Sequence, residues 1–114
     1  MSRFFCYGTL RRGCSAHDLL QGSPFLGTIT TQPHYHLYRV GPFPGMVIGD
    51  ETGGVQGELF EVSDAVLGIV DQYENEPYLF RRELIDLSDG SQAWAYLYAR
   101  PMRHPVEIKD GVWK

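Results

Sequence analysis

The chain has 114 residues, of which 43% are hydrophobic and 21% charged, and its formal net charge is −4. That length suits one domain over residues 1–114, with enough apolar side chains to bury a core without metals or disulfides. The acidic balance argues against a nucleic-acid surface, and no apolar run approaches the roughly 20 residues that cross a bilayer.

The N-terminus lacks a charged segment followed by an apolar core and a small-residue cleavage site, so a cytoplasmic protein is expected. Cys6 falls in an apolar run and Cys14 in the loop after it. They read as free thiols in a reducing compartment rather than as disulfide partners. Thirteen glycines and seven prolines punctuate the whole length, which leaves room for few long helices.

The first element is Phe4-Phe5-Cys6-Tyr7-Gly8-Thr9-Leu10-Arg11-Arg12-Gly13. Its aromatic start is the signal of a buried strand, which breaks at Gly8. A strand that stops on glycine can expose its next backbone N–H groups, and such donors suit a carboxylate or phosphate. On spacing alone the stretch is either an ordinary turn or an anion cradle. It matches neither the dinucleotide fingerprint nor the P-loop. Arg11-Arg12 reads as a solvated pair that adds positive field near the loop.

Next, Ser15 is placed to cap a short helix through Leu20, ended by Gly22. Phe25–Thr31 and His34–Val40 read as strands on either side of Pro33 and are expected to pair as an antiparallel hairpin. Gly41-Pro42-Phe43-Pro44-Gly45 reads as a rigid turn before the apolar Met46-Val47-Ile48, with a polar surface loop from Gly49 to Gly54. Val55–Val62 alternates as another strand. Ser63 is a good N-cap, and Asp64 complements the dipole of the helix that follows. Val66, Ile69, Val70 and Tyr73 form one helical face. Gly68 within that helix suggests close packing on the sheet, and Pro77 should end it near Asn75. Leu79–Leu87 and Ala93–Tyr98 read as strands joined at Asp89-Gly90. The proline-interrupted tail is irregular, with Trp113 packing back on the core. The sum is an α+β domain: a curled, mostly antiparallel sheet or small barrel of about six strands with one main helix and one short helix.

Glu74 is the candidate acid/base. It follows Val70 by one turn, so it borders the buried face near the helix C-terminus. Partial burial and the dipole both disfavour its ionised form and raise its pKa, as proton shuttling requires. The competing reading is a solvated glutamate before a helix end. His17, His34, His36 and His104 form no metal-ligand spacing, so no metal is expected.

Tyr7-Gly8-Thr9-Leu10-Arg11-Arg12-Gly13 resembles the signature loop of the gamma-glutamylcyclotransferase-like superfamily. Asp71-Gln72-Tyr73-Glu74, followed by Phe80-Arg81-Arg82, resembles that family's second motif, in which the glutamate is the catalytic acid/base. Val70 stands where leucine is usual, and Phe80 where a tyrosine is expected. Trp94-Ala95-Tyr96-Leu97-Tyr98 is similar to the late family strand that ends in a pocket tyrosine, best matched by Tyr98, for which packing is an equal alternative. Packing is the role read for Trp94 and Tyr96. Gly41-Pro42-Phe43-Pro44-Gly45 resembles a family turn that frames the pocket, with Phe43 in place of tyrosine. The chain's brevity is closest to the small bacterial members.

The resemblance implies intramolecular aminolysis of a small-molecule gamma-glutamyl amine, giving 5-oxoproline and a free amine. Glu74 would be catalytic, and Tyr7, Gly8, Thr9, Leu10 and Tyr98 would bind substrate, with no cofactor. The alternative is a non-catalytic module that binds a small metabolite on the same fold. A cavity shared by Glu74 and Gly8–Leu10 would favour the enzyme. Glu74 locked by Arg82 or Arg100 would favour binding alone.

Overall fold

The apolar N-terminal run forms β1 (Ser2–Cys6), which sends Phe4 and Cys6 to one face and Phe5 to the other, all buried. A strand covered on both sides belongs in the middle of a sheet, and β1 lies there. The computed structural model describes residues 1–114. After β1 come a 3₁₀ turn (His17–Leu20), β2 (Phe25–Thr30), β3 (Tyr35–Val40), β4 (Phe43–Ile48) and β5 (Gln56–Val62). Helix α1 (Asp64–Tyr73), β6 (Phe80–Asp86), β7 (Gln92–Tyr98) and β8 (Val106–Glu107) complete the chain.

All eight strands belong to one sheet in the order β2-β5-β1-β7-β4-β3-β8, with β6 on β7. Only the β1–β7 and β4–β7 pairings are parallel. The expected α+β class and curled, mostly antiparallel sheet are therefore found, with two more strands than expected. One is β8, two residues on the edge of β3. The other is β4: the turn comprises only Gly41 and Pro42, and Phe43, Pro44 and Gly45 already pair with Val40, Arg39 and Tyr38. Gly45 has a packing reason for its place in a strand. A Cβ there would lie 2.8 Å from Val40 Cγ2 and 3.0 Å from Tyr98 Cβ.

The expected β2–β3 hairpin does not form. β2 pairs with β5, and β3 with β4 and β8. The Thr31–His34 corner is fastened elsewhere: Thr31 Oγ1 accepts the Val55 N–H at 3.0 Å, and Gln32 N–H donates to the Asp86 carbonyl at 3.0 Å.

Helix α1 begins as its sequence dictates. Ser63 Oγ accepts the Val66 N–H at 3.1 Å, an N-cap worth about 1 kcal/mol. Its buried stripe is Val66, Leu67 and Val70, whereas Tyr73 is exposed at the helix end. Gly68 faces open space, so it permits no close approach. The helix stops at Tyr73 with Glu74 as C-cap, and Asn75 turns the chain at φ +54°. The short N-terminal element is a 3₁₀ turn flanked by Ala16 without a side-chain cap, not a helix capped by Ser15.

Two hydrophobic clusters sandwich the sheet. Phe4, Phe60, Val62, Leu20 and the α1 stripe form one, while Phe5, Leu37, Met46, Ile85 and Leu87 anchor the other, against which Trp113 packs. No helix is long and apolar enough to cross a membrane.

Candidate functional site

β1 and β7 share one residue pair, Phe4 with Trp94, and β4 and β7 share one, Met46 with Leu97. Strands that touch at one point and then diverge leave a gap, and the gap is bridged by Tyr7. Its buried hydroxyl donates to the Tyr96 carbonyl at 2.6 Å and accepts the Met46 N–H at 3.2 Å. Alongside lies a cavity of about 250 Å³. Its wall includes Tyr7, Gly8, Thr9 and Leu10 from the first loop, Phe43 and Pro44 from β4, Tyr73 and Glu74 from the helix end, and Leu79, Phe80 and Tyr96.

The first loop turns its carbonyls inward. The Gly8 carbonyl accepts from Arg11 N–H at 3.2 Å and from Arg11 Nε at 3.0 Å. The Thr9 carbonyl accepts from Ala16 N–H at 2.9 Å, and Leu10 C=O meets His17 Nδ1 at 2.9 Å. The N–H groups of Gly8, Thr9 and Leu10 find no acceptor in the chain. Three adjacent free donors on a cavity wall are the makings of an anion nest. Gly8 sits close to β4: a Cβ there would stand 3.0 Å from Pro44 Cγ, a tight contact from which the proline ring would have to shift. Arg11 is no solvated side chain, because its Nη2 also donates to the Trp113 carbonyl at 2.6 Å, which ties the loop to the tail. Arg12 is exposed; it pairs with Glu58 and lies over Phe25.

Across the cavity, Glu74 makes no ion pair or side-chain hydrogen bond. Burial pushes its carboxyl up to about 7. Arg82 is taken by Asp71, with Nε to Oδ1 at 2.9 Å and Nη2 to Oδ2 at 3.2 Å. Arg100 lies over the Tyr78 ring. Neither cation locks Glu74. At the rim, Thr9 Oγ1 and Tyr73 Oη lie 3.0 Å apart, linking the loop to the helix end.

The cavity thus brings together five of the six residues singled out from the sequence: Tyr7, Gly8, Thr9, Leu10 and Glu74. It does not bring in Tyr98, which packs on Phe43 and Phe80 behind the wall and borders a second cavity. Tyr96, read as packing, is the β7 tyrosine in the wall, and its hydroxyl donates to Asp71 Oδ1 at 2.5 Å. The missed signal was the pairing of Arg82 with Tyr96 across β6 and β7, which sets that hydroxyl beside the Arg82–Asp71 pair. Glu76 lies off the cavity, with Oε2 3.4 Å from the Arg82 N–H.

Comparison with known proteins agrees along the whole chain. Residues 4–114 match the family model described as gamma-glutamyl cyclotransferase, AIG2-like. A Vibrio cholerae protein is 40% identical over 109 residues, covering 96% of this chain and 92% of its own. The gamma-glutamylcyclotransferase family protein YtfP of Escherichia coli K12 is 33% identical over 111 residues, covering 97% and 95%. A crystal structure of a Pyrococcus horikoshii protein superposes with a TM-score of 0.82 at 28% identity, over 98% of this chain and 89% of that one. The loop at Gly8, the glutamate facing it and the matches across the full length make this chain a member of the gamma-glutamylcyclotransferase, AIG2-like family.

Proposed function

We propose that the protein is a gamma-glutamylcyclotransferase that converts a gamma-glutamyl amine into 5-oxoproline and the free amine. The observation that carries this reading is an unpaired Glu74, held by burial to a pKa of about 7, in the wall of a cavity also lined by Gly8–Leu10, whose N–H groups have no acceptor in the chain. A base poised near neutrality opposite backbone donors suits an acyl transfer that moves protons and develops an oxyanion.

The substrate's α-carboxylate or its γ-carbonyl oxygen takes the loop N–H groups. Glu74 accepts a proton from the α-ammonium. The freed amine attacks the γ-carbonyl carbon, a C–N bond forms and the ring closes through a tetrahedral intermediate. Glu74 returns the proton to the departing nitrogen as the original amide C–N bond breaks, then takes the second proton from the new ring nitrogen and passes it to the released amine, which leaves as an ammonium. Holding the glutamyl chain folded converts the attack into a favoured intramolecular step, which in good cases contributes about 7–11 kcal/mol. Glu74 has no neutralising cation, which favours catalysis over a passive binding module on the same fold.

The test is 5-oxoproline release from a panel of gamma-glutamyl amines. Wild type is expected to turn over at least one, and Glu74→Gln to lose about 100-fold or more of that rate while staying folded. A folded Glu74→Gln protein of full activity would end this reading.

A further inference from the structure

Tyr96 has an unusually constrained hydroxyl. Asp71 takes a two-point contact from Arg82, whose guanidinium lies 4.8 Å from the Trp94 ring centre. A guanidinium can only donate, so the Asp71 oxygens it grips are acceptors. The 2.5 Å contact between Tyr96 and Asp71 Oδ1 must then carry the phenol's proton toward Asp71. Burial and the Asp71 charge hold the phenol well above its ordinary range, so that proton stays in place. Asp71 itself is not in the cavity wall, whereas Tyr96 is. No other protein donor contacts the phenolic oxygen. What Tyr96 can offer a ligand is therefore a lone pair.

The cavity is thus divided by hydrogen-bond polarity. Gly8, Thr9 and Leu10 supply donors, and Glu74 and Tyr96 supply acceptors. An anionic end fits the first set and an amine fits the second. One acceptor leaves an amine free to rotate, whereas two fix its direction.

We propose that Asp71 and Arg82 are positioning residues that fix Tyr96 as an acceptor, and that the Tyr96 oxygen receives an N–H of the substrate's α-amine beside Glu74. This rests on the cyclotransferase reading. In Asp71→Asn, one of the two positions that Arg82 grips becomes an NH₂ donor, so the two-point contact breaks and the phenol loses the charged acceptor that fixes its direction.

The experiment measures kcat/KM for 5-oxoproline release in Tyr96→Phe, Asp71→Asn and the double variant, with near-ultraviolet circular dichroism as the check on folding. Each single change is expected to lose about 10- to 100-fold, the effect of one hydrogen bond to a charged group. Since Asp71 acts through Tyr96, the double variant should fall no more than about twofold below Tyr96→Phe. Additive losses, or a Tyr96→Phe enzyme within about twofold of wild type, would overturn the proposal and leave Glu74 catalysis standing. A second readout is independent of turnover. In a Glu74→Gln background, calorimetry compares a gamma-glutamyl amine with the matching glutaryl amine, which lacks the α-amine. Tyr96→Phe is expected to reduce the preference for the α-amino compound about 10-fold or more. An unchanged preference, or no binding of either compound, would overturn the proposal even if no amine on the panel were turned over.

Discussion

A β-branched side chain at Gly8 has nowhere to go except into Pro44 or into the cavity. Gly8→Val is expected to cost about 1–3 kcal/mol of stability through overpacking yet remain folded, and to lose ligand binding. Urea unfolding and calorimetric titration would separate the two effects, and normal affinity would show that the loop is no cradle. Glu74 carries a pH signature. Its folded value near 7 lies above the ordinary 4.5, so ionisation is disfavoured in the fold. Wild type should lose stability as pH rises from the ordinary glutamate range through about 7, and level off above. Glu74→Gln removes that loss, so its Tm should exceed the wild-type Tm by about 4 °C or more at pH 8 and match it at pH 4. Equal Tm values at both pH values would contradict the burial of the carboxyl. Turnover should move the opposite way, with kcat/KM rising through about 7 as the base forms.

At the scale of elements, His36 on β3 fastens two others. Its Nδ1 lies 2.8 Å from Glu107 Oε2 on β8, and its Nε2 lies 2.8 Å from the Asp50 carbonyl and 3.2 Å from Asp50 Oδ1 in the loop after β4. The hydrogen bond to Glu107, then that to Asp50, raises the histidine above its usual value. A raised folded pKa means stabilisation that is fully present below the ordinary histidine range and is lost as pH rises through the folded value. The unfolding free-energy gap between wild type and His36→Gln should therefore shrink as pH rises from below the ordinary histidine range to above it, and a constant gap would rule the clasp out. Local signals explain which elements were legible. Ser63, the spacing of Val66 and Val70, and Pro77 delimit α1 without help from the rest of the chain. Pro44 and Gly45 made β4 look like a turn, because its pairing with β3 and the approach of Tyr98 lie outside the segment.

Across the whole molecule, the least visible property was which strands meet. β2 and β3 are neighbours in sequence, and nothing in their composition says that β5 and β4 take their edges instead. The residues that share the candidate cavity were legible where the signal is local, in the Gly8 loop and at Glu74. It was illegible where it depends on register: Tyr96 and Tyr98 are alike in a strand, and only the pairing with Arg82 tells them apart. Tyr7 joins both levels, since its hydroxyl spans the divergence of β4 and β7. Tyr7→Phe would leave the Met46 N–H and the Tyr96 carbonyl without that partner, at a cost of about 2 kcal/mol or more in urea unfolding. A smaller change would mean that the two strands close on each other without it.

The cradle proposed at Gly8–Leu10 is drawn by the path of the main chain. Its donors belong to no side chain, so no change in the genetic code's output at Thr9 or Leu10, short of proline, can delete one. If the loop binds ligand as proposed, truncating side chains one at a time would pass over these donors and report only their supports. For the same reason, the side chains around the loop could change widely without removing these donors.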